Sequence, residues 1–402
     1  MKVGMVSIYP PLESKHAKLG GVASYTKNLV VYLSNGCKVI VFADGISHMN
    51  NECHEGAMVC RCWKKGVFYP FQVFKRLLSN KIDIVHVQHE IYLYGGLGSA
   101  IFFPLLLFFI RLFRKPMVVT LHGVVPLSKV DRRFLRDNWT RGNPLIMRVG
   151  LILLVRMIAF LSTSIVVHEE KFKEMLRGEY GCPTHKVNVI HHGIEERNDL
   201  IEKDEAKENL GLNGKNVILF FGYITGYKNI ELLIESANFV KTQDCVIVIA
   251  GGSHPRLSDD PNYRRYLSDL GKKASAISKD NILFRGFITE EKVPVYFSAA
   301  DLVVFPYEIC MHASGPLSLS ISYEKPFLIS DSFEETVASR DVVFANNPRD
   351  LASKIDQYFT DPNFRRKSLM CSHKFKTERS WSDVANKTLR LYKGILKQEP
   401  LG

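Results

Sequence analysis

The chain has 402 residues, 46% of them hydrophobic and 23% charged. Those proportions exclude an extensively disordered polypeptide and leave room for two domains of about 200 residues, each with its own core. The charge is uneven: residues 1–200 hold 26 Lys and Arg against 15 Asp and Glu, residues 201–402 hold 27 against 26, and the net charge is +12. The first half is therefore suited to an anionic surface or substrate. The eight Cys follow no disulfide spacing, so reduced thiols and a cytoplasmic location are expected.

In chain order, residues 3–8 form a short apolar run, too brief for a signal peptide, and predict a first buried strand. Gly20 and Gly21 precede a helical pattern over 22–33. Their spacing is neither a dinucleotide fingerprint nor a P-loop, so a phosphate-cradling turn and an ordinary connection both stay open. A strand is predicted over 37–43. Cys53, His54, Cys60 and Cys62 then cluster without matching a zinc pattern and are read as ordinary side chains, with no metal site expected. Strand 82–87 contains His86, and His89 follows it on the opposite face, which argues against a shared metal.

Residues 101–110, IFFPLLLFFI, are too few to span a bilayer, which takes about 20. A buried crossover helix and an interfacial helix on anionic lipid both fit, because Arg111, Arg114 and Lys115 follow at once. A second apolar segment, 145–161, carries Arg148 and Arg156, and with both on the basic half, peripheral membrane contact is expected. Strand 117–121 ends in His122, where open α/β sheets bind ligands, and a binding role stands beside a capping one. Strands over 164–168 and 187–192 close the first half. The polar stretch 194–214 predicts a linker and a boundary near residue 195.

Alternation then restarts, with strands predicted over 216–221, 245–250, 281–285, 301–306, 326–330 and 342–345. Two successive series of this kind predict an α/β protein of two doubly wound domains, with ligands at the carboxyl ends of the strands. Two turns of the second series carry chemistry. One runs over 220–229, where Gly222 is followed by Lys228 at a helix start, an ammonium placed to neutralise a diphosphate. In the other, over 303–331, Ser314 and Gly315 open a helix whose N–H groups suit phosphate, and Glu308 in the preceding loop suits hydroxyl groups.

As a set these features resemble the retaining glycosyltransferases of the GT-B fold, family four. Gly222 and Lys228 match that family's Gly–x5–Lys loop, and Ala250-Gly251-Gly252 its Ala-Gly-Gly strand end. Gly286-Phe287 match the turn that reads the base, and residues 296–301 the run into a strand ending in Pro. Gly20-Gly21 and His122 match N-terminal features, and residues 381–396 resemble the helix that crosses back to the first domain. Departures occur where Tyr223 and Thr225 replace an Arg, and where Met311 and Leu319 replace two Glu, with Glu308 three residues early.

The resemblance implies two Rossmann-like domains facing across a cleft: an acceptor-binding domain 1–195, a nucleotide-sugar domain 196–378, and a returning helix 379–402. It implies transfer of a hexose from a nucleoside-diphosphate sugar to a glycan or lipid-linked acceptor, with retention, no metal and no cofactor beyond that co-substrate. His122, Lys228 and Glu308 would be catalytic. Gly20, Gly21, Gly222, Gly252, Gly286, Phe287, Ser314, Gly315, Pro316 and Leu317 would hold the donor. A nucleotide-sugar epimerase of GT-B fold and a basic nucleic-acid binder are the alternatives. The first needs paired cleft carboxylates, and only Glu308 is so placed. The second needs basic motifs interleaved with aromatics, which are missing, so no nucleic acid is expected.

Overall fold

The computed structural model describes all residues except 12–20, 46–50, 55, 138–141, 256, 279, 338 and 399–402. The chain divides into two compact units: Met1–Gly193 with Met311–Ala313 and Arg379–Gly402, and Ile194–Cys310 with Ser314–Glu378.

The first unit runs β1 (Lys2–Val6), α1 (Gly21–Leu33), β2 (Lys38–Asp44), β3 (Asn51–His54), β4 (Ala57–Trp63), α2 (Tyr69–Leu78), β5 (Ile84–His89), α3 (Leu97–Ile101), α4 (Phe103–Leu112), β6 (Met117–Leu121), α5 (Arg132–Asp137), α6 (Pro144–Leu161), β7 (Ser164–Val167), α7 (Glu170–Gly178) and β8 (Val187–Val189). The sheet order is β3-β4-β2-β1-β5-β6-β7-β8, and every pairing is parallel except β3 with β4. The predicted strand 3–8 thus ends at Val6. The hairpin of β3 and β4 goes beyond the predicted elements and carries the Cys-His cluster. On it His54 pairs with Tyr9, whose hydroxyl lies 3.0 Å from His54 Nδ1. Among the described residues no group of three His, Cys, Asp or Glu side chains is arranged to hold a metal.

The second unit runs α8 (Lys203–Leu210), β9 (Asn216–Phe221), α9 (Ile230–Ser236), β10 (Cys245–Ala250), α10 (Pro261–Ile277), β11 (Ile282–Phe284), α11 (Val293–Ala299), β12 (Leu302–Phe305), α12 (Gly315–Ser322), β13 (Phe327–Ser330), β14 (Val343–Phe344), α13 (Pro348–Thr360) and α14 (Pro362–Glu378). Its sheet is wholly parallel, in the order β11-β10-β9-β12-β13-β14. The stretch 194–214 is therefore not a plain linker. Its middle forms α8, which packs on α11 and is tied down by Lys203 and Lys207, both ion-paired with Asp301 at the head of β12. Only Ala206 of α8 is buried, so polar composition concealed a helix held by charge rather than by an apolar stripe.

The final helix, α15 (Trp381–Gln398), belongs to the first unit and packs on α1. Trp381, Val384, Ala385 and Tyr392 enter a core with Val3, Met5, Leu29, Val41 and Val118, each such buried side chain contributing about 1.5–3 kcal/mol. Tyr392 also meets His86, its hydroxyl 2.5 Å from Nδ1, while the other ring nitrogen lies 2.6 Å from the Thr120 hydroxyl. His89 instead lies against Phe103 of α4, on the other face of the sheet. A bidentate pair from Arg379 to Glu169 anchors the start of α15.

Gly193 sits directly under Trp381: a Cβ there would lie 2.3 Å from the indole. Gly193→Ala is expected to destabilise the first unit by about 1–3 kcal/mol through overpacking. A urea titration followed by tryptophan fluorescence checks this, and an unchanged midpoint would show that the indole yields freely.

Candidate active site

The second unit's candidate residues converge at the carboxyl ends of β9, β10 and β12. β9 is followed by Gly222, which has φ +122°, a conformation that favours glycine. A Cβ on Gly222 would lie 3.0 Å from both Lys228 Nζ and Pro316 Cγ, so the turn, the Lys and the start of α12 meet at one point. Lys228 lies in a short 3-10 turn, and its ammonium is buried. It donates to the Tyr223 carbonyl (2.9 Å) and sits 5.6 Å from the centre of the Tyr307 ring. Burial lowers its pKa to about 7, because one carbonyl and an aromatic face replace the water of an exposed ammonium. Within the same turn, the buried Thr225 hydroxyl has no hydrogen-bond partner among the described residues.

Ser314 caps α12, its hydroxyl accepting from the Leu317 N–H at 3.2 Å. This refines the expected phosphate contacts. Pro316 has no N–H and that of Leu317 is taken by the cap, so Gly315 is left to offer a backbone donor at the first turn. Glu308 lies in the loop after β12, and its N–H donates to the Tyr227 carbonyl at 2.8 Å, tying that loop to the one bearing Lys228. A second cluster forms beside the first. Gly252, just beyond β10, lies so close to Phe287 that a Cβ would come within 2.7 Å of its side chain. Phe287, half exposed after Gly286, stacks on Tyr223 with ring centres 6.1 Å apart. Tyr223, in the position where an Arg was expected, thus extends an aromatic surface.

The first unit holds the remaining candidates. Gly21 opens α1, while Gly20 lies outside the described residues. His122 follows β6 and is buried: its Nε2–H donates to Gln88 Oε1 (2.8 Å), Nδ1 lies 3.3 Å from His168 Nε2, and the ring meets Tyr25 edge-on. Burial, reinforced by the neighbouring histidines His168, His192 and His312, holds its pKa well below the usual range, so the imidazole is neutral. His122 is thus tied to Gln88 through Nε2, while its unprotonated Nδ1 faces His168. Next to it, Gly123 bridges to His312, and the Val124 N–H donates to the Met311 carbonyl at 2.9 Å. Sequence reasoning missed Tyr307, Gln88 and His168. The signal for Tyr307 was its place immediately after the β12 strand end at Pro306, and Gln88 and His168 likewise lie at strand ends.

Two family descriptions match the chain, Glycosyltransferase Family 4 over residues 19–197 and Glycosyl transferases group 1 over 202–369. An uncharacterized glycosyltransferase of Methanocaldococcus jannaschii is 26% identical over 98% of both chains. The alpha-D-kanosaminyltransferase of Streptomyces kanamyceticus is 24% identical over 61% of this chain and 58% of its own. Among solved structures, sucrose-phosphate synthase from Thermosynechococcus elongatus superposes with TM-score 0.75 at 16% identity, over 99% of this chain and 100% of that one. Anabaena HepE in complex with UDP and glucose does so with TM-score 0.70 at 14% identity, over 98% and 100%. Two α/β units with parallel sheets, matched in turn by the two halves of one enzyme family, leave one assignment: the chain belongs to the group 1 glycosyltransferases of GT-B fold.

Proposed function

We propose that the chain transfers a hexose from a nucleoside-diphosphate sugar to an acceptor hydroxyl, with retention and without a divalent metal. The observation that carries this reading is the buried Lys228 ammonium, set against Gly222 and the start of α12. The diphosphate of the donor lies there, held by Lys228 and the Gly315 N–H, with Phe287 and Tyr223 beside the base. Relatives of the same fold were crystallised with UDP, UDP-glucose or ADP, which supports a nucleotide donor. In the reaction the bond between the sugar's anomeric carbon and the diphosphate oxygen breaks, and the acceptor oxygen bonds that carbon on the same face. The acceptor proton passes to the departing diphosphate, whose growing charge Lys228 offsets. Glu308 holds sugar hydroxyls, and His122 orients the sugar. The acceptor is a glycan or lipid-linked molecule taken by the basic first unit, at a cytoplasmic membrane face.

Lys228→Ala is expected to lower turnover about a hundredfold at saturating donor, since one pre-organised contact to a leaving group contributes about 3 kcal/mol. The measurement is transfer from a panel of nucleoside-diphosphate sugars, with the product's anomeric configuration read by NMR. Unchanged turnover would remove Lys228 from the mechanism, and an inverted product would remove retention.

Because burial lowers the Lys228 pKa to about 7, a diphosphate must recharge it above that pH. Nucleoside diphosphate affinity should therefore fall by up to tenfold per pH unit from pH 7 upward, until the raised pKa of the bound state is reached. The nucleotide's own phosphate titrates near about 6 and adds little there. Calorimetry at pH 7, 8 and 9 in two buffers of different ionisation enthalpy reads the proton uptake. Uptake persisting unchanged in Lys228→Ala would assign it elsewhere.

Turnover is also expected to survive EDTA, because Lys228 and the α12 dipole supply the charge a divalent ion would otherwise bring. Loss of activity on chelation, restored by magnesium or manganese, would overturn the metal-free reading.

A further inference from the structure

The three helices α2, α4 and α6 pack side by side, α2 on α4 and α4 on α6, along one face of the first unit's sheet. Right-handed crossovers place them opposite α1 and α15. Their inner residues, such as Val73, Leu106 and Ile158, are fully buried. Their outer residues are apolar as well. On α6, Ile146, Val149, Leu153, Met157 and Phe160 recur at helical spacing along one stripe, with Ile146 72% and Phe160 81% exposed. Phe108 and Leu112 continue the patch on α4, and Phe71 and Leu78 on α2. Soluble proteins rarely leave so extended an apolar surface open.

The charges on these helices are of one sign. None of the three contains Asp or Glu, and they carry Lys75, Arg76, Arg111, Arg148 and Arg156. Arg114 and Lys115 follow α4 directly. Apolar side chains flanked by cations complement an anionic bilayer, in which the apolar groups insert and the cations meet headgroups. α6 is long and apolar enough to cross a membrane by length and composition, yet it packs beside α4 as part of the helical layer. It connects β6 and β7, which pair directly with Val118 opposite Ser164, and Leu151, Val155 and Ile158 of its inner face are buried.

We propose that the outer face of α2, α4 and α6 is a membrane-docking surface that seats the first unit on a bilayer rich in anionic lipid. The surface is read from packing and charge alone. It gives the lipid-linked acceptor reading a definite face, without depending on the donor chemistry.

The test is flotation with vesicles of phosphatidylcholine, and of phosphatidylcholine with phosphatidylglycerol, at low salt and at about 1 M salt, where the screening length falls to about 3 Å. The native chain is compared with Leu153→Glu/Phe160→Glu and, on the neighbouring helix, Phe108→Glu/Leu112→Glu. Melting temperature and the thermal shift produced by nucleoside diphosphates report folding and donor binding separately. Expected are at least tenfold more protein on anionic than on neutral vesicles at low salt, a salt-resistant bound remainder, and at least tenfold loss of that remainder in both folded variants. Equal recovery of native and variant chains, or no binding at low salt, would overturn the proposal. So would a native dimer in light scattering that either variant makes monomeric, since a second copy would then cover the face. A lost nucleotide shift in the native chain would instead count against the donor site and leave the docking result standing.

Discussion

A parallel sheet must be covered on both faces, because its strands carry apolar side chains to each side and no face can be left to water. In the first unit the crossovers after β4, β5 and β6 cover one face, and α1 covers part of the other. The remainder is closed by α15, which comes from the far end of the chain and sets Trp381 and Tyr392 over β1, β2 and β6. The Arg379–Glu169 pair and the packing of Gly193 under the indole follow from that need for closure. So does the arrangement of α2, α4 and α6, whose inner faces are spent on the sheet and whose outer faces are left apolar.

In the second unit the same closure brings strand ends together, and electrostatics takes over from packing. Lys228 is an ammonium removed from water with a single carbonyl partner, a placement costly enough to move its pKa to about 7. A group held this way gains most from an anion that restores its charge. A titratable group displaced in this way is a pattern common at functional sites. Gly222 permits the arrangement by leaving room for both the ammonium and Pro316, and Ser314 narrows the donors at the start of α12 to Gly315.

His122 is the counterexample. Its position at a strand end marks it as a ligand group, but burial makes it a neutral ring that donates to Gln88 and packs against Tyr25 and His168. Buried polar groups held on every side rigidify what surrounds them.

Much of this was written in the sequence. Short continuous apolar runs located nearly every parallel strand, and the spacing from Gly222 to Lys228 and the Ser314-Gly315 pair located the two turns that meet beside Lys228, because these features depend on neighbours within a few residues. Three things were not legible. The strand β4 contains Arg61, a charge that interrupts an apolar run, and it is tolerated only because Asp44, Glu52 and the carbonyls of Tyr9 and Pro10 converge on it from elsewhere. The helix α8 shows no apolar stripe, since it is held by Asp301 from nearly a hundred residues onward. The helix α6 is apolar on nearly every side apart from Arg148 and Arg156, so periodicity is silent on which side meets the sheet. Local sequence determined that these segments would be strand, turn or helix. Only tertiary structure decided which charges are buried and which apolar faces remain open, because burial is set by partners that the chain brings from far away.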